Sequence, residues 1–421
     1  MLDIKFIREN TELVKQGIEA KNETDNIDAI LLLDEKRRQY IQETETLKAK
    51  RNEISAKVGE RKRSGGDTTD LLTEVDTIKH RIQKLDGELK EIEQQLESLL
   101  FTVPNIPHPT VPIGKNADDN KPVFEWGTKP SVDFSLKPHW ELTEKLGIID
   151  FTRGAKVSGA GFPFYVGKGA MLERALINFF LDEASKNGYK EINAPFVVNE
   201  ESARGTGQIP DKEDLMYTIE RDKLFMIPTA EVPVTNFHRD EVFLEKELPK
   251  YYAGYTPCFR REAGSYGKDV RGLNRLHQFD KVELVKFVTP STSYDELEKL
   301  RGNAEQLLQL LGLPYRVLLM CSGDMGFTQS KKYDLEVWAA GQQKWLEVSS
   351  CSNFETFQSR RMNIKYKSSE TGKLEFVHTL NGSGLALPRV VAALLEQYQT
   401  PEGKITIPKV LHSYTKFTVI E

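Results

Sequence analysis

The chain has 421 residues, 29% of them charged and 39% apolar, with a formal net charge of -5. That balance fits a soluble globular protein of two or three domains rather than a disordered one, and any nucleic-acid partner must be met by a local patch. Cys258, Cys321 and Cys351 are scattered and give neither a disulfide framework nor a zinc site, so the cytoplasm is the expected compartment.

The N-terminal MLDIKFIREN carries charge throughout, so no signal peptide is expected, and no apolar run is long enough to span a membrane. Residues 1 to about 26 form a helical lead-in, with Ile4, Ile7, Leu13, Val14 and Ile18 on one stripe. Two long arms follow. In the second, Leu71, Val75, Ile78, Ile82, Leu85, Leu89, Ile92, Leu96 and Leu99 step by four and three, the repeat of a left-handed coiled coil. The first arm is less regular, with Leu33, Tyr40, Leu47 and Ile54 seven apart. Gly59 to Asp70, containing Ser64-Gly65-Gly66, is the expected reversal. Arms of about 30 residues make an antiparallel helical hairpin roughly 45 Å long.

The tip of that hairpin holds Lys48, Lys50, Arg51, Lys57, Arg61, Lys62 and Arg63 against Glu53 and Glu60. A solvated helix face accounts for such a run. So does a grip on a phosphate backbone, which recognises the shape of double-stranded RNA without reading its sequence.

Pro104 to Gly114 contains four prolines in eleven residues and reads as an extended linker. The expected domains are therefore 1–103 for the hairpin, 104–115 for the linker and 116–421 for a second, larger domain. In the last, helical and strand-like segments alternate irregularly, with antiparallel signals and no βαβ rhythm, so the fold class is α+β. A helix is expected over Met171 to Lys186 with Gly188 at its end, then a strand over Lys190 to Val198. Further expected elements are an apolar strand ending in Pro228-Thr229-Ala230-Glu231, a helix over 292–311, and a strand at Trp345 to Ser350.

Tyr255 to Val288 is the centre of the second domain. It reads as two antiparallel strands joined by a long basic loop with glycines at 264, 267 and 272 and with Arg271 and Arg275 in or near it. Alternation puts Arg260 and Glu262 on one side, and Phe279, Lys281 and Glu283 on one side of the return strand. An arginine suits phosphate, a ring suits a base and a carboxylate suits an ammonium. An ordinary hairpin with surface ion pairs shares the F-R-x-E pattern. Glu347, Ser349 and Ser350 supply hard oxygens of the kind Mg²⁺ takes, or simply end a solvated strand. Gly382 to Gly384 reads as a glycine-rich turn entering a helix at Pro388 and Arg389, either an anion site or a plain helix entry. Neither a GxxxxGK[ST] loop nor a dinucleotide fingerprint is present, so a nucleotide is expected on an antiparallel sheet.

Three stretches resemble the three signature motifs of class II aminoacyl-tRNA synthetases: GYKEINAP ending at Pro195, F-R-R-E with its return strand, and GLALPRVVAALLE. With TAE at 229–231, HQFDKVE at 277–283, EVSS at 347–350, NGSG at 381–384 and the hairpin arm, the whole chain resembles the bacterial seryl-tRNA synthetases. The resemblance implies ATP and Mg²⁺ as cofactors, L-serine as substrate and a homodimer. It also implies tRNA(Ser) as partner, with tRNA(Sec) where that tRNA exists, and no membrane partner.

By the same resemblance Arg260 meets the α-phosphate and Arg389 the γ-phosphate. Phe279 stacks on adenine with Arg389 on its other face, Glu262 meets the adenine edge, and Arg261, Val348 and Ser349 complete the ATP set. Glu347 and Ser350 carry Mg²⁺. Thr229, Ala230, Glu231, Glu283 and Ser383 form the serine pocket, and Arg260, Glu262 and Arg389 carry the catalysis. Lys48, Arg51, Lys57, Arg61, Lys62 and Arg63 are the tRNA-contacting set. Two rival readings are a ligase that loads an amino acid onto a carrier protein and an RNA-binding scaffold with an inactive catalytic domain. The long arm argues against the first. The intact Arg260, Glu262, Glu283, Glu347 and Arg389 argue against the second.

Overall fold

The structure, a computed structural model, describes residues 1–211, 214–262 and 271–421. The expected glycines at 264 and 267 lie outside those residues. The chain divides into two compact units, 1–19 with 23–104, and 20–22 with 105–421.

In the first unit the lead-in is two helices rather than one, α1 (Ile4–Glu9) and α2 (Thr11–Ala20). Asp3 caps α1 by accepting from the Lys5 and Phe6 amides. The arms are α3 (Ile27–Arg63) and α4 (Thr69–Leu100). The reversal is tighter than expected, because α3 runs through Gly59 to Arg63. A mid-helix glycine costs only about 1 kcal/mol against alanine. The apolar seam outweighs that: Ile54, Val58, Ile78 and Ile82 are buried together, with Leu47, Leu71 and Val75 against them. The turn itself falls at Gly65, whose φ of +78° admits glycine without strain. At 37 residues α3 is about 55 Å long, longer than the expected 45 Å. Arg37–Glu93, Lys50–Glu74 and Arg81–Glu43 ion pairs flank the seam and tie arm to arm.

Residues 20–22 belong with the second unit for a specific reason. The buried Lys21 ammonium donates to the carbonyls of Gly326 (2.8 Å) and Gln329 (2.6 Å). Nothing in the sequence pattern distinguishes that lysine from its neighbours.

The second unit is built on an eight-stranded sheet. In chain order its strands are β1 (Lys121–Trp126), β2 (Lys190–Glu191), β3 (Lys250–Phe259), β4 (Gln278–Val288), β5 (Tyr315–Leu319), β6 (Lys331–Ala339), β7 (Lys344–Asn353) and β8 (His378–Ala386). Their spatial order is β1-β5-β6-β7-β8-β4-β3-β2, antiparallel except where β2 runs parallel to β3. The fold class is thus α+β, with the antiparallel sheet the motifs called for. The strand expected over Lys190 to Val198 is two short pieces, Lys190–Glu191 and Val197–Asn199, with Pro195 between them.

Helices α5 (Lys168–Lys186), α6 (Ser293–Leu310) and α7 (Leu387–Gln397) form one continuous core with the sheet. Val282 and Leu284 of β4 enter that core. Strand alternation therefore turns Phe279, Lys281 and Glu283 to the other face. No helix among the described residues is long and apolar enough to cross a membrane.

Candidate active site

The β3–β4 ladder pairs Phe279 with Cys258, Lys281 with Thr256 and Glu283 with Gly254. On the other side of β4, Glu283 lies opposite Ser383 of β8. These registers assemble a compact polar pocket. Thr229 donates its hydroxyl to Glu283 (3.1 Å) and accepts from the Lys281 ammonium (2.9 Å), which also ion-pairs with Glu283. Thr229, Lys281 and Glu283 are all buried, and the ion pair keeps two opposite charges tolerable there. Glu231 opens a short helix one residue beyond Ala230, and its amide donates to the Thr229 hydroxyl (3.2 Å). Gln358 donates to the Glu231 carboxylate at 2.6 Å and accepts from the Thr379 hydroxyl at 2.7 Å. Burial, then the neighbouring Glu283, push the Glu231 carboxyl up to about 7, against the pull of Gln358, Lys281 and Asn381.

A second group of residues surrounds this pocket. The Arg260 guanidinium lies 5.1 Å from the centre of the Phe279 ring, and its Nε donates to the Pro228 carbonyl. Arg389, in the first turn of α7, donates to the carbonyls of Asn274 (3.1 Å) and Glu347 (2.8 Å), and stands 3.7 Å from the Glu347 carboxylate. The surrounding protein partly desolvates Glu347, although its side chain stays exposed, and the charges of Lys332, Arg389, Arg260 and Lys281 outweigh that effect and hold the carboxyl below its usual range. Of these cations, Arg260 and Arg389 carry the planar donor forks suited to phosphate oxygens.

Glu347 and Ser350 lie three residues apart on β7, and both are partly exposed. Opposite Ser350 on β6 stands Asp334, whose Oδ1 is buried without a partner. One carboxylate and one hydroxyl, completed by phosphate oxygens and water, would be a donor set Mg²⁺ accepts; no cluster of three ligating acids is needed. Among the described residues there is no such cluster.

Several sequence expectations need correction. NGSG at 381–384 is not a turn: it is the middle of β8, so its amides belong to a strand and the expected helix entry, with Pro388 and Arg389 in its first turn, starts further on at Leu387. Its glycines serve close packing. A Cβ on Gly382 would sit 2.9 Å from the Cys351 sulfur, and one on Gly384 3.2 Å from Val282. The register with β4 slips between Ser383 and Ala386, where Leu385 has a φ of +82°, and this bulge turns the chain into α7. Arg260 and Glu262 do not share a strand face either, since β3 ends at Phe259 and Glu262 has a φ of +50°. Glu262 accepts from Arg275 (2.8 Å) and lines a cavity of about 1390 Å³ with Arg261, Arg271 and His277, away from Glu283. Arg261 is ion-paired with Asp214 (3.2 Å). Ala230 and Val348 are buried in the interior. Ser349 donates to the Ser383 carbonyl at 2.7 Å and so braces β7 against β8.

At the hairpin tip, Lys57 pairs with Glu53 and Arg61 with Asp70, while Lys48, Arg51, Lys62 and Arg63 remain on exposed or half-exposed helix surface. Two residues of the pocket carry no role in the sequence reading. Lys281 is within its reach, two residues from both Phe279 and Glu283. Gln358 lies on a short helix far along the chain, and no sequence signal points to it.

An antiparallel sheet holding an arginine–aromatic platform, with a second arginine at the entry of a following helix, is the core of a class II aminoacyl-tRNA synthetase. Residues 217–398 match the family model for the tRNA synthetase class II core domain (G, H, P, S and T). Residues 1–107 match the seryl-tRNA synthetase N-terminal domain. A serine–tRNA ligase of Salinibacter ruber is 54% identical over 100% of this chain and 99% of its own. One from Chloroherpeton thalassium is 53% identical over the full length of both. The crystal structure of seryl-tRNA synthetase from Pyrococcus horikoshii complexed with ATP superposes with a TM-score of 0.95 at 39% identity, covering 100% and 99% of the two chains. The chain belongs to the seryl-tRNA synthetase family, the serine–tRNA ligases.

Proposed function

We propose that this enzyme activates L-serine with ATP and then esterifies the terminal adenosine of tRNA(Ser), and of tRNA(Sec) where present. In the first step a serine carboxylate oxygen bonds to the α-phosphorus, the bond to the bridging oxygen breaks, and pyrophosphate leaves. The substrate carboxylate is already an anion, so no general base is needed. In the second step a ribose hydroxyl attacks the carbonyl carbon of the seryl-adenylate mixed anhydride, the bond from that carbon to the phosphate oxygen breaks, and AMP leaves as the hydroxyl proton is released.

Arg260 stabilises the charge that builds on the α-phosphate, Arg389 holds the γ-phosphate, and Phe279 supports the adenine ring. Glu262 meets the adenine edge, and Arg261 with the Val348 and Ser349 backbones completes the nucleotide site. Glu347 and Ser350 hold Mg²⁺, which when bound neutralises phosphate charge. Thr229, Glu231, Glu283 and Ser383 take serine, with Ala230 contributing backbone. The carboxylates meet its ammonium, and carboxylate or hydroxyl groups meet its side-chain hydroxyl. Alanine leaves those buried groups unpaired, a penalty of about 10⁴-fold or more. Threonine is excluded by volume and is the weaker discrimination.

The hairpin, residues 1–103, grips tRNA through Lys48, Arg51, Lys57, Arg61, Lys62 and Arg63. The linker at 104–115 joins it to the catalytic domain, 116–421. The enzyme works as a homodimer in the cytoplasm. The observation that carries the reading is the Thr229–Lys281–Glu283 pocket, two residues along the strand from the Arg260–Phe279 platform. Amino-acid-dependent ATP–pyrophosphate exchange across the twenty amino acids tests it. Exchange with serine is expected, and exchange with another amino acid but not serine overturns it.

A further inference from the structure

His139 and Glu396 are fully buried, and the reaction proposed above uses neither. His139 opens the helix His139–Leu146, and Glu396 lies in the last turn of α7. The Glu396 carboxylate collects N–H donors on both oxygens. His139 Nδ1 (2.8 Å), the His139 amide (2.9 Å) and the Gln342 side chain (2.7 Å) meet Oε1, while the Gly341 (2.9 Å) and Gln342 (3.1 Å) amides meet Oε2. A buried carboxylate is tolerated when its lone pairs are filled in this way. The end of α7 thereby gathers the start of another helix and the turn between β6 and β7.

The far side of the imidazole reaches a third segment. The Leu273 amide donates to His139 Nε2 at 2.8 Å. An amide only donates, so Nε2 carries no proton and Nδ1 carries the one given to Glu396. Gly272 has a φ of +66°, and a Cβ there would lie 2.2 Å from His139 Nε2, so the backbone is pressed onto the ring. The Arg271 guanidinium lies 4.9 Å from the centre of the ring of Trp140, the next residue of the same helix. Asn274 is tied in as well, its side chain donating to Gln342 Oε1 at 2.9 Å.

Arg389 and Glu396 are seven residues apart on α7, about two turns, and so lie on nearly the same face. Two carbonyls aim the Arg389 guanidinium, those of Asn274 at 3.1 Å and Glu347 at 2.8 Å. The first belongs to the segment held by His139 and Gln342. The second is on β7, which leaves the turn held by Glu396. A binding group keeps its geometry only when its neighbours are themselves locked by packing and hydrogen bonds.

We propose that His139, Gln342 and Glu396 are positioning residues for Arg389. They hold the Asn274 and Glu347 carbonyls where these point its guanidinium at the end of the polyphosphate. The inference rests on the reading of Arg389 as the γ-phosphate ligand, and the three residues act through the carbonyls rather than on substrate.

Calorimetric titration of the full chain with ATP and Mg²⁺, and separately with AMP, tests it. The two ring nitrogens are replaced one at a time: His139→Asn keeps an N–H near the Nδ1 position and leaves the Leu273 amide unmet, whereas His139→Gln brings an acceptor to the Nε2 position. His139→Asn and Gln342→Met are expected to raise the ATP dissociation constant at least tenfold and to leave that of AMP within threefold, since AMP has no γ-phosphate. His139→Gln is expected to stay within threefold of native for both. A purely architectural role weakens both nucleotides together or neither, and either result overturns the proposal. So does an ATP loss in His139→Gln as large as in His139→Asn. Gln342 is only half-buried, so Gln342→Met decides the matter if His139→Asn does not fold. Arg389→Ala is the reference. An unchanged ratio of ATP to AMP affinity in that variant overturns the γ-phosphate reading and the proposal with it. A tenfold loss of ATP there, without one in His139→Asn and Gln342→Met, overturns the proposal alone.

Discussion

Replacing Gln358 with leucine is the sharpest probe of the proposed serine pocket. The Gln358 amide donates to Glu231 at 2.6 Å and is itself held by the Thr379 hydroxyl. Removing it leaves the Glu231 carboxylate without one of its donors. A hydrogen bond to a charged group contributes about 1.5–3 kcal/mol, and 1.36 kcal/mol is one decade, so the serine KM should rise about 10- to 150-fold. The pH profile should move with it. Glu231 is already pushed up to about 7, so the part of serine binding that needs its anion is present above that pH and lost below. Without the Gln358 donor the midpoint shifts to still higher pH, and raising the pH should recover part of the loss. Serine-dependent pyrophosphate exchange from pH 6.5 to 9 reads both effects, with the ATP KM as internal control. A serine KM within twofold of the native value, on an unshifted profile, refutes the reasoning. A purely structural role for Gln358 would lower the melting temperature and leave that profile in place.

Three further outcomes are expected. Arg260→Ala should abolish exchange with any amino acid while leaving the melting temperature close to native, since Arg260 is held by one carbonyl and the Phe279 ring. Neutralising Lys62 and Arg63 should spare pyrophosphate exchange and weaken tRNA charging, with the slope of log affinity against log salt falling by about one for each phosphate no longer neutralised; equal loss of both activities would count against a division of labour between hairpin and core. Lys286→Ala should destabilise the fold by about 1.5–3 kcal/mol, because it removes a buried charge-assisted hydrogen bond at 2.9 Å from Glu296, whose carboxylate keeps Lys299 and Tyr251. Glu296 itself sits at about 2 in the fold, below the usual carboxylate value of 4.5, so its stabilising share is complete above 4.5 and fades as pH falls toward 2. Urea midpoints measured across that window should therefore drop more in the native protein than in Glu296→Gln.

Much of this architecture was legible in the sequence because it rests on periodicity. The arm from Leu71 to Leu99 repeats strictly, so the helix seam follows from spacing, and the opposite facing of neighbouring side chains in β4 follows from an extended backbone rather than from an alternating sequence. The failures share a physical origin in tertiary contacts that have no period. Gly382 and Gly384 look like turn residues, yet they are small because Cys351 and Val282 press against a strand. Glu262 continues an extended run in the sequence pattern, but the chain leaves the sheet at Phe259. Gln358 and Lys21 work through partners more than a hundred residues away, and no local signal marks either one.

The alternation along β4 also constrains how this protein can change. From Phe279 to Glu283 the odd positions line the polar pocket and its arginine–aromatic platform and the even ones face the other side of the sheet, so point substitutions can adjust one side without touching the other. Losing or gaining a single residue there would rotate every later side chain by half a turn, sending Glu283 into the hydrophobic interior and Val282 toward the substrate. Drift in this stretch is thus free in composition and frozen in length.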